Sequence, residues 1–128
     1  MKRHILIAAA LASTLAAIAS GGKLVAADRE VNLGVIRPDT LASGKLVLHN
    51  LGTEAVSITS IFTDCGCTAT DYSRNPVAPG DSTVVDVTFD PTGRVPGEFR
   101  KAIRIRSTGS GGSTVAFVVG TIKRPLRK

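Results

Sequence analysis

Residues 85–90 read Val-Asp-Val-Thr-Phe-Asp, with Val85, Val87 and Phe89 on one side of the alternation and Asp86, Thr88 and Asp90 on the other. A period of two marks an extended strand with one buried face, because successive side chains of a strand point to opposite sides. A helix would scatter the same three apolar groups around its axis. The pattern recurs along the chain. Phe99, Ile103 and Ile105 alternate with Arg100, Arg104 and Arg106, and Val56, Ile58 and Phe62 read as the buried set of a strand that also carries Ser57, Thr59 and Ile61. Val31–Ile36 and Lys45–His49 are shorter runs of the same kind. Val115–Ile122 is apolar on both faces through Val115, Phe117, Val118 and Val119, as a central strand would be.

Turn residues separate these runs: Arg37-Pro38-Asp39, Asn50-Leu51-Gly52, Pro76 to Gly80, Pro91 to Gly97, and Thr108 to Ser113. Thr68 to Asn75 reads as irregular. No stretch after residue 27 shows a helical period. The expectation is an all-β fold, a single immunoglobulin-like sandwich of about seven strands.

The N-terminus follows a different rule. Lys2, Arg3 and His4 precede the uncharged stretch ILIAAALASTLAAIA over residues 5–19. A basic start followed by an apolar run reads as a helical secretory signal peptide. The run is rich in Ala and shorter than the roughly 20 residues that span a bilayer, which argues against a retained anchor. Small residues allow cleavage after Ala19 or after Ala27. The expected organisation is therefore a signal peptide over 1–27, the sandwich over 28–122, and a basic tail over 123–128, with a periplasmic or extracellular address and no stable membrane span after cleavage.

Charge is needed only to weigh partners. The whole chain carries a formal net charge of +6. Residues 28–128 hold 13 basic and 10 acidic groups, and Lys123, Arg124, Arg127 and Lys128 supply four of the positives. The body is near neutral and the tail is basic, so the high pI is no nucleic-acid signature. One Tyr and no Trp leave few platforms on which bases could stack. The row Arg100, Arg104, Arg106 reads as a solvated strand face, paired with acids such as Asp86 and Asp90 across a neighbouring strand. Gly109 to Gly112 follows a strand and leads into another strand, so it lacks the helix N-terminus of a phosphate cradle.

Asn50-Leu51-Gly52, Asp64-Cys65-Gly66-Cys67-Thr68, Ala78-Pro79-Gly80-Asp81-Ser82, Val87-Thr88-Phe89-Asp90 and Gly97-Glu98-Phe99-Arg100-Lys101 occur in this order. Together they resemble the bacterial domain-of-unknown-function family 1573, an exported immunoglobulin-like group related in fold to the hydin and major-sperm-protein sandwiches. The resemblance covers about Val31 to Ile122. It departs at Leu33, where the family usually has Phe, and at Ser107-Thr108, where Ser-Asn is common. It implies a fold, an envelope or extracellular address and a non-enzymatic interaction role.

Cys65 and Cys67 are the only cysteines. They form a candidate disulfide or redox pair, and three readings compete. As small apolar residues they can shape a turn at the end of the third strand. As two thiolates they can hold a soft metal such as Cu(I) or Zn, with only His49 or Asp64 to add. As a short, strained bridge they can exchange with other thiols. The first reading is favoured, since the usual redox signature places two residues between the cysteines at a helix start. His49, beside Leu46 and Leu48, reads as a sheet residue, and no nucleophile motif is present. The expectation is a non-enzymatic exported module with no cofactor, no resident metal and no nucleic-acid partner. It would mediate protein interaction or a structural role with another envelope or extracellular protein. The alternative is a thiol redox or soft-metal protein centred on Cys65 and Cys67.

Overall fold

The computed structural model describes residues 21–126, so the expected signal helix lies outside the described residues. The described strands are β1 (Leu24–Ala26), β2 (Glu30–Ile36), β3 (Ala42–Asn50), β4 (Ile58–Thr63), β5 (Thr68–Asp71), β6 (Ser82–Phe89), β7 (Gly97–Ser107) and β8 (Ser113–Ile122). They form two four-stranded sheets, ordered β1-β3-β6-β5 and β2-β8-β7-β4. The all-β sandwich is as expected, and β8 does lie inside its sheet, parallel to β2 and antiparallel to β7.

The described residues contain eight strands against the about seven expected, and the two that the alternation does not mark, β1 and β5, lie at sheet edges. Thr68–Asp71, expected to be irregular, pairs with Asp86–Phe89 as β5. Its short run Thr-Ala-Thr-Asp has no apolar alternation to announce it, so tertiary pairing alone makes it a strand. β1 pairs with β3, Leu24 opposite Asn50 and Ala26 opposite Leu48. The chain then crosses between sheets over residues 27–29: Ala27 N–H still donates to Val47 C=O at 2.9 Å, while Arg29 C=O already accepts from Phe117 N–H at 2.7 Å. The Asp28 carboxylate accepts the Glu30 N–H at 3.0 Å and braces this crossing.

The expected domain start at Asp28 therefore falls inside the fold. Leu24 is buried in the main core. Upstream of it the backbone is tied down at three points: Leu51 N–H to Lys23 C=O at 2.8 Å, Thr53 N–H to Gly21 C=O at 2.9 Å, and Ser110 N–H to Gly22 C=O at 2.8 Å. Glycine permits this close threading. A Cβ on Gly52 would stand 2.0 Å from Gly21 O, and one on Gly109 would stand 2.2 Å from Gly22 O.

Between the sheets, Leu46, Leu48, Val85, Val87, Ile103, Ile105, Ala116 and Val118 form the main core. A second cluster closes one end with Ile36, Phe89, Ile122 and the two cysteines, and Phe99 stacks on Phe89 with ring centroids 4.2 Å apart. The expected parity of the third strand is corrected. Register slips between Ile58 and Ser60, and such a bulge reverses which side chains face inward. Ile61 consequently packs against the core, while Phe62 is 54% exposed. Val56 sits outside the strand in an isolated bridge to Val77.

Asn50 is wholly buried. Its Oδ1 accepts from Lys23 N–H at 3.1 Å and Gly52 N–H at 2.9 Å, and its Nδ2 donates to Glu54 C=O and Val77 C=O, both at 2.8 Å. Replacing it leaves the Val77 carbonyl buried without this partner and three part-buried backbone groups to turn to water, and a buried unsatisfied group costs about 1–3 kcal/mol. Asn50→Ala is expected to lower stability by about 3 kcal/mol in urea unfolding; a loss within about 0.5 kcal/mol would remove this hub from the account. Beginning the chain at Asp28 instead of Ser20 deletes β1 and uncovers Asn50, and is expected to cost about 3 kcal/mol or more by the same measurement. Equal midpoints for the two chains would show β1 to be dispensable.

Candidate functional site

Cys65 and Cys67 lie in the arch that carries the chain from β4, at the edge of one sheet, to β5, at the edge of the other. They are joined by a disulfide. Gly66 at the tip is exposed, whereas both cysteines are buried against Phe89, Ile36 and Ile122. Backbone bonds define the arch. Thr68 N–H donates to Cys65 C=O at 3.2 Å, Asp90 N–H donates to Cys67 C=O at 2.8 Å, and Cys67 N–H points at Cys65 Sγ at 3.2 Å. The Thr63 hydroxyl lies 3.1 Å from Cys65 C=O and 3.3 Å from Thr68 C=O. The pair thus plugs one end of the core while the backbone turns around it.

Neither candidate third ligand reaches the pair. The Asp64 carboxylate accepts the Ala102 N–H at 3.1 Å. His49 pairs with Ser82 at one end of β6, and the arch bonds to Asp90 just past the other end. Seven residues of extended chain separate those ends by about 23 Å. Among the described residues no group of three or more His, Cys, Asp or Glu side chains is placed to hold a metal ion.

The arginine row lies on the outer face of the β2-β8-β7-β4 sheet, but its partners differ from those expected. Asp86 belongs to the other sheet and pairs with Lys45 at 2.6 Å. Asp90 caps its own turn by accepting the Thr92 N–H at 3.0 Å, and the Thr92 contacts hold its carboxyl below the usual range. The β6 strand, which carries Asp86 and ends just before Asp90, is simply not a neighbour of β7. Arg100 instead pairs with Glu30 of β2, and its guanidinium lies 4.0 Å from the Phe117 ring centroid. Arg106 lies 5.4 Å from the exposed Phe62 ring. Register puts Arg100 beside Val119 and Arg104 between Val115 and Phe62, so cations alternate with apolar groups across three strands. The sequence showed the arginines; the bulge that exposes Phe62 beside them is invisible to a strict alternation.

The four sheet edges are blunted. β1 has three residues and β5 has four. β2 is broken by a register shift before Val35, where Gly34 takes φ +69°. β4 has its own shift, and the Arg74 guanidinium occupies its Thr59 carbonyl at 2.9 Å. Short, bulged or capped edges are poor templates for an added strand. Gly109 to Gly112 forms the β7–β8 hairpin, where Ser107 N–H bonds to Gly112 C=O at 3.1 Å.

Comparison with known proteins agrees with this architecture. A protein of unknown function from Porphyromonas gingivalis W83 superposes with TM-score 0.67 at 15% identity, covering 81% of this chain and 48% of that one. PapD-like domain 7 of human CEP192 superposes at 0.65 with 11% identity, covering 83% of this chain and 89% of that domain. The VesB protease of Vibrio cholerae superposes at 0.58 with 20% identity, covering 79% of this chain and 32% of the protease. The chain thus spans about half of the first protein and a third of the protease, and at such identities the likeness is one of fold. No curated protein matches the chain. The family model for DUF1573, protein of unknown function, matches residues 24–122. It takes in β1 through β8 with the cysteine arch between β4 and β5, and the chain belongs to that family.

Proposed function

We propose that this chain is a non-enzymatic, exported interaction module that meets a protein partner of the cell envelope or its surroundings through the outer face of the β2-β8-β7-β4 sheet. The observation that carries the reading is the exposed Phe62 beside Arg104 and Arg106, with Arg100 further along the same face over Phe117. Arginine and aromatic side chains are the groups most enriched where proteins bind one another, because they bury large area and keep a polar reach. Blunted edges favour a face over strand addition as the contact. Export rests on the basic and apolar N-terminus. Of the two cleavage points, Ala19 is the one compatible with a folded β1, since cutting after Ala27 removes a buried Leu24 and three backbone anchors.

The thiol reading has one observation in its favour, the bonded pair itself, and two against it: both cysteines are buried, and His49 lies at the far end of the sheet. A bridge across one residue restrains almost no chain entropy. The Cys65→Ser/Cys67→Ser variant is therefore expected to fold with a stability loss of about 1 kcal/mol and to keep its partner. Loss of partner contact at unchanged melting temperature would instead support thiol chemistry.

Photo-crosslinking residues placed at position 62 or 104 in living cells should give one discrete adduct. The same group at Thr88, on the opposite sheet, should give none. Adducts from Thr88 alone would overturn the assignment of the face. The intact mass of the exported chain should correspond to an N-terminus at Ser20, and a chain beginning at Asp28 would refute the choice of Ala19.

A further inference from the structure

β8 ends at the same pole as the β2–β3 and β6–β7 loops, and the three segments enclose a cleft of about 570 Å³. Arg37, Arg94, Lys123 and Arg124 line it, with Asp39 as the one acid. Asp39 is already engaged, by the Thr40 hydroxyl at 3.1 Å and Arg37 Nε at 3.5 Å. Those contacts, the Thr40 hydroxyl foremost, hold its carboxyl below the usual range, so it stays charged and offsets one cation of the four. Arg94, Lys123 and Arg124 make no ion pair among the described residues. In sequence, Arg127 and Lys128 follow.

The same pole presents large apolar side chains to solvent. Val95, between Arg94 and Pro96, is 84% exposed, Leu126 is 94% exposed, and Leu41 of the β2–β3 loop is 61% exposed. The β6–β7 loop and the start of the C-terminal segment are anchored. Pro91 at the root of the β6–β7 loop is fully buried and its carbonyl accepts the Arg94 N–H at 2.9 Å, while Lys123 N–H bonds to Ile36 C=O at 2.8 Å. The anchoring at Arg94 limits the ordering entropy that Val95 has left to lose when it meets a surface.

Cations with protruding aliphatic tips on one end of a domain match the layering of an anionic bilayer, with phosphates outermost and acyl chains just beneath. A soluble anion would use the cations and leave the aliphatic tips in water. We infer that this pole is a peripheral membrane-docking surface: Arg37, Arg94, Lys123 and Arg124 engage the phosphodiesters of anionic phospholipids, and Val95, Leu126 and Leu41 enter the headgroup region. The outer face of the β2-β8-β7-β4 sheet runs along the side of the sandwich, so a docked molecule keeps Phe62 and the arginine row open to a protein partner. The inference does not depend on that partner: the variants expected to weaken docking lie outside that face, and Arg104→Gln on the face serves only as a control for vesicle partitioning.

The test is co-sedimentation of the protein from the exported fraction with vesicles of phosphatidylglycerol and phosphatidylcholine in equal parts, or of phosphatidylcholine alone. Binding is expected to the mixed vesicles only, and to fall steeply as salt is raised, because surface charge is screened over about 10 Å at 0.1 M ionic strength. Arg94→Gln should lower partitioning about fivefold, the worth of one cation at an anionic surface. Val95→Asp with Leu126→Asp should lower it at least as much, whereas Arg104→Gln should leave it unchanged; melting temperatures check that each variant is folded. Equal binding to both vesicle types, or full binding by the Val95/Leu126 variant, would overturn the proposal. So would retention by immobilised polyglutamate, or saturation by inorganic phosphate, without vesicle binding: the first points to an acidic protein and the second to a soluble-anion site.

Discussion

The buried amide of Asn50 is the interaction on which this small sandwich most depends. A side chain with two acceptor sites and two donors sits where three backbone segments converge, and it satisfies four of their groups: Lys23 N–H, Gly52 N–H, Glu54 C=O and Val77 C=O. Its own backbone adds bonds to Asp81 C=O and from Gly80 N–H, each at 2.9 Å. One residue therefore holds the entry of the first strand, the β3–β4 turn and the β5–β6 loop in mutual register. No apolar residue could do this, because the segments meet with open backbone groups in a buried or part-buried place.

The other end of the molecule is closed differently. There the disulfide-bonded pair, with Phe89, Ile36 and Ile122, fills the gap between the sheets. The β4-to-β5 arch is held by backbone bonds to Asp90 and Thr68 rather than by a polar hub. The cysteines act through volume and burial at the place where the chain must change sheets. The same constraint explains the N-terminal side, where the chain changes sheets at Asp28 and borders both. Among the described residues the chain passes between the sheets five times, and the β1-to-β2 crossing and the β4-to-β5 arch are the two passages that join one edge strand to another; every edge is left short, bulged or capped.

Surface chemistry follows from that closure. With the edges blunted, the features left to meet other molecules are a sheet face and a pole. The face owes its character to the β4 bulge, which turns Phe62 outward beside the arginines of β7. The pole owes its character to three segments far apart in sequence, whose cations and aliphatic tips gather where the strands end.

Period-two alternation is local, so the sequence by itself determined the all-β class, the central place of β8 and the outward row of Arg100, Arg104 and Arg106. The ordered turn motifs carried the family resemblance for the same reason: each is a short stretch whose chemistry is complete within itself. What depended on segments meeting at a distance was decided only by the tertiary structure. β1 and β5 are strands because a partner strand completes their hydrogen bonds, and their own composition does not demand it. Asn50-Leu51-Gly52 reads as a turn, yet its amide is buried because Gly21–Lys23 and Val77 close over it. Arg100 and Asp86 both sit on outward faces, but pairing assigns them to different sheets, so their expected contact does not form. Burial and strand pairing are properties of the assembled layers, and no single segment contains the information that sets them.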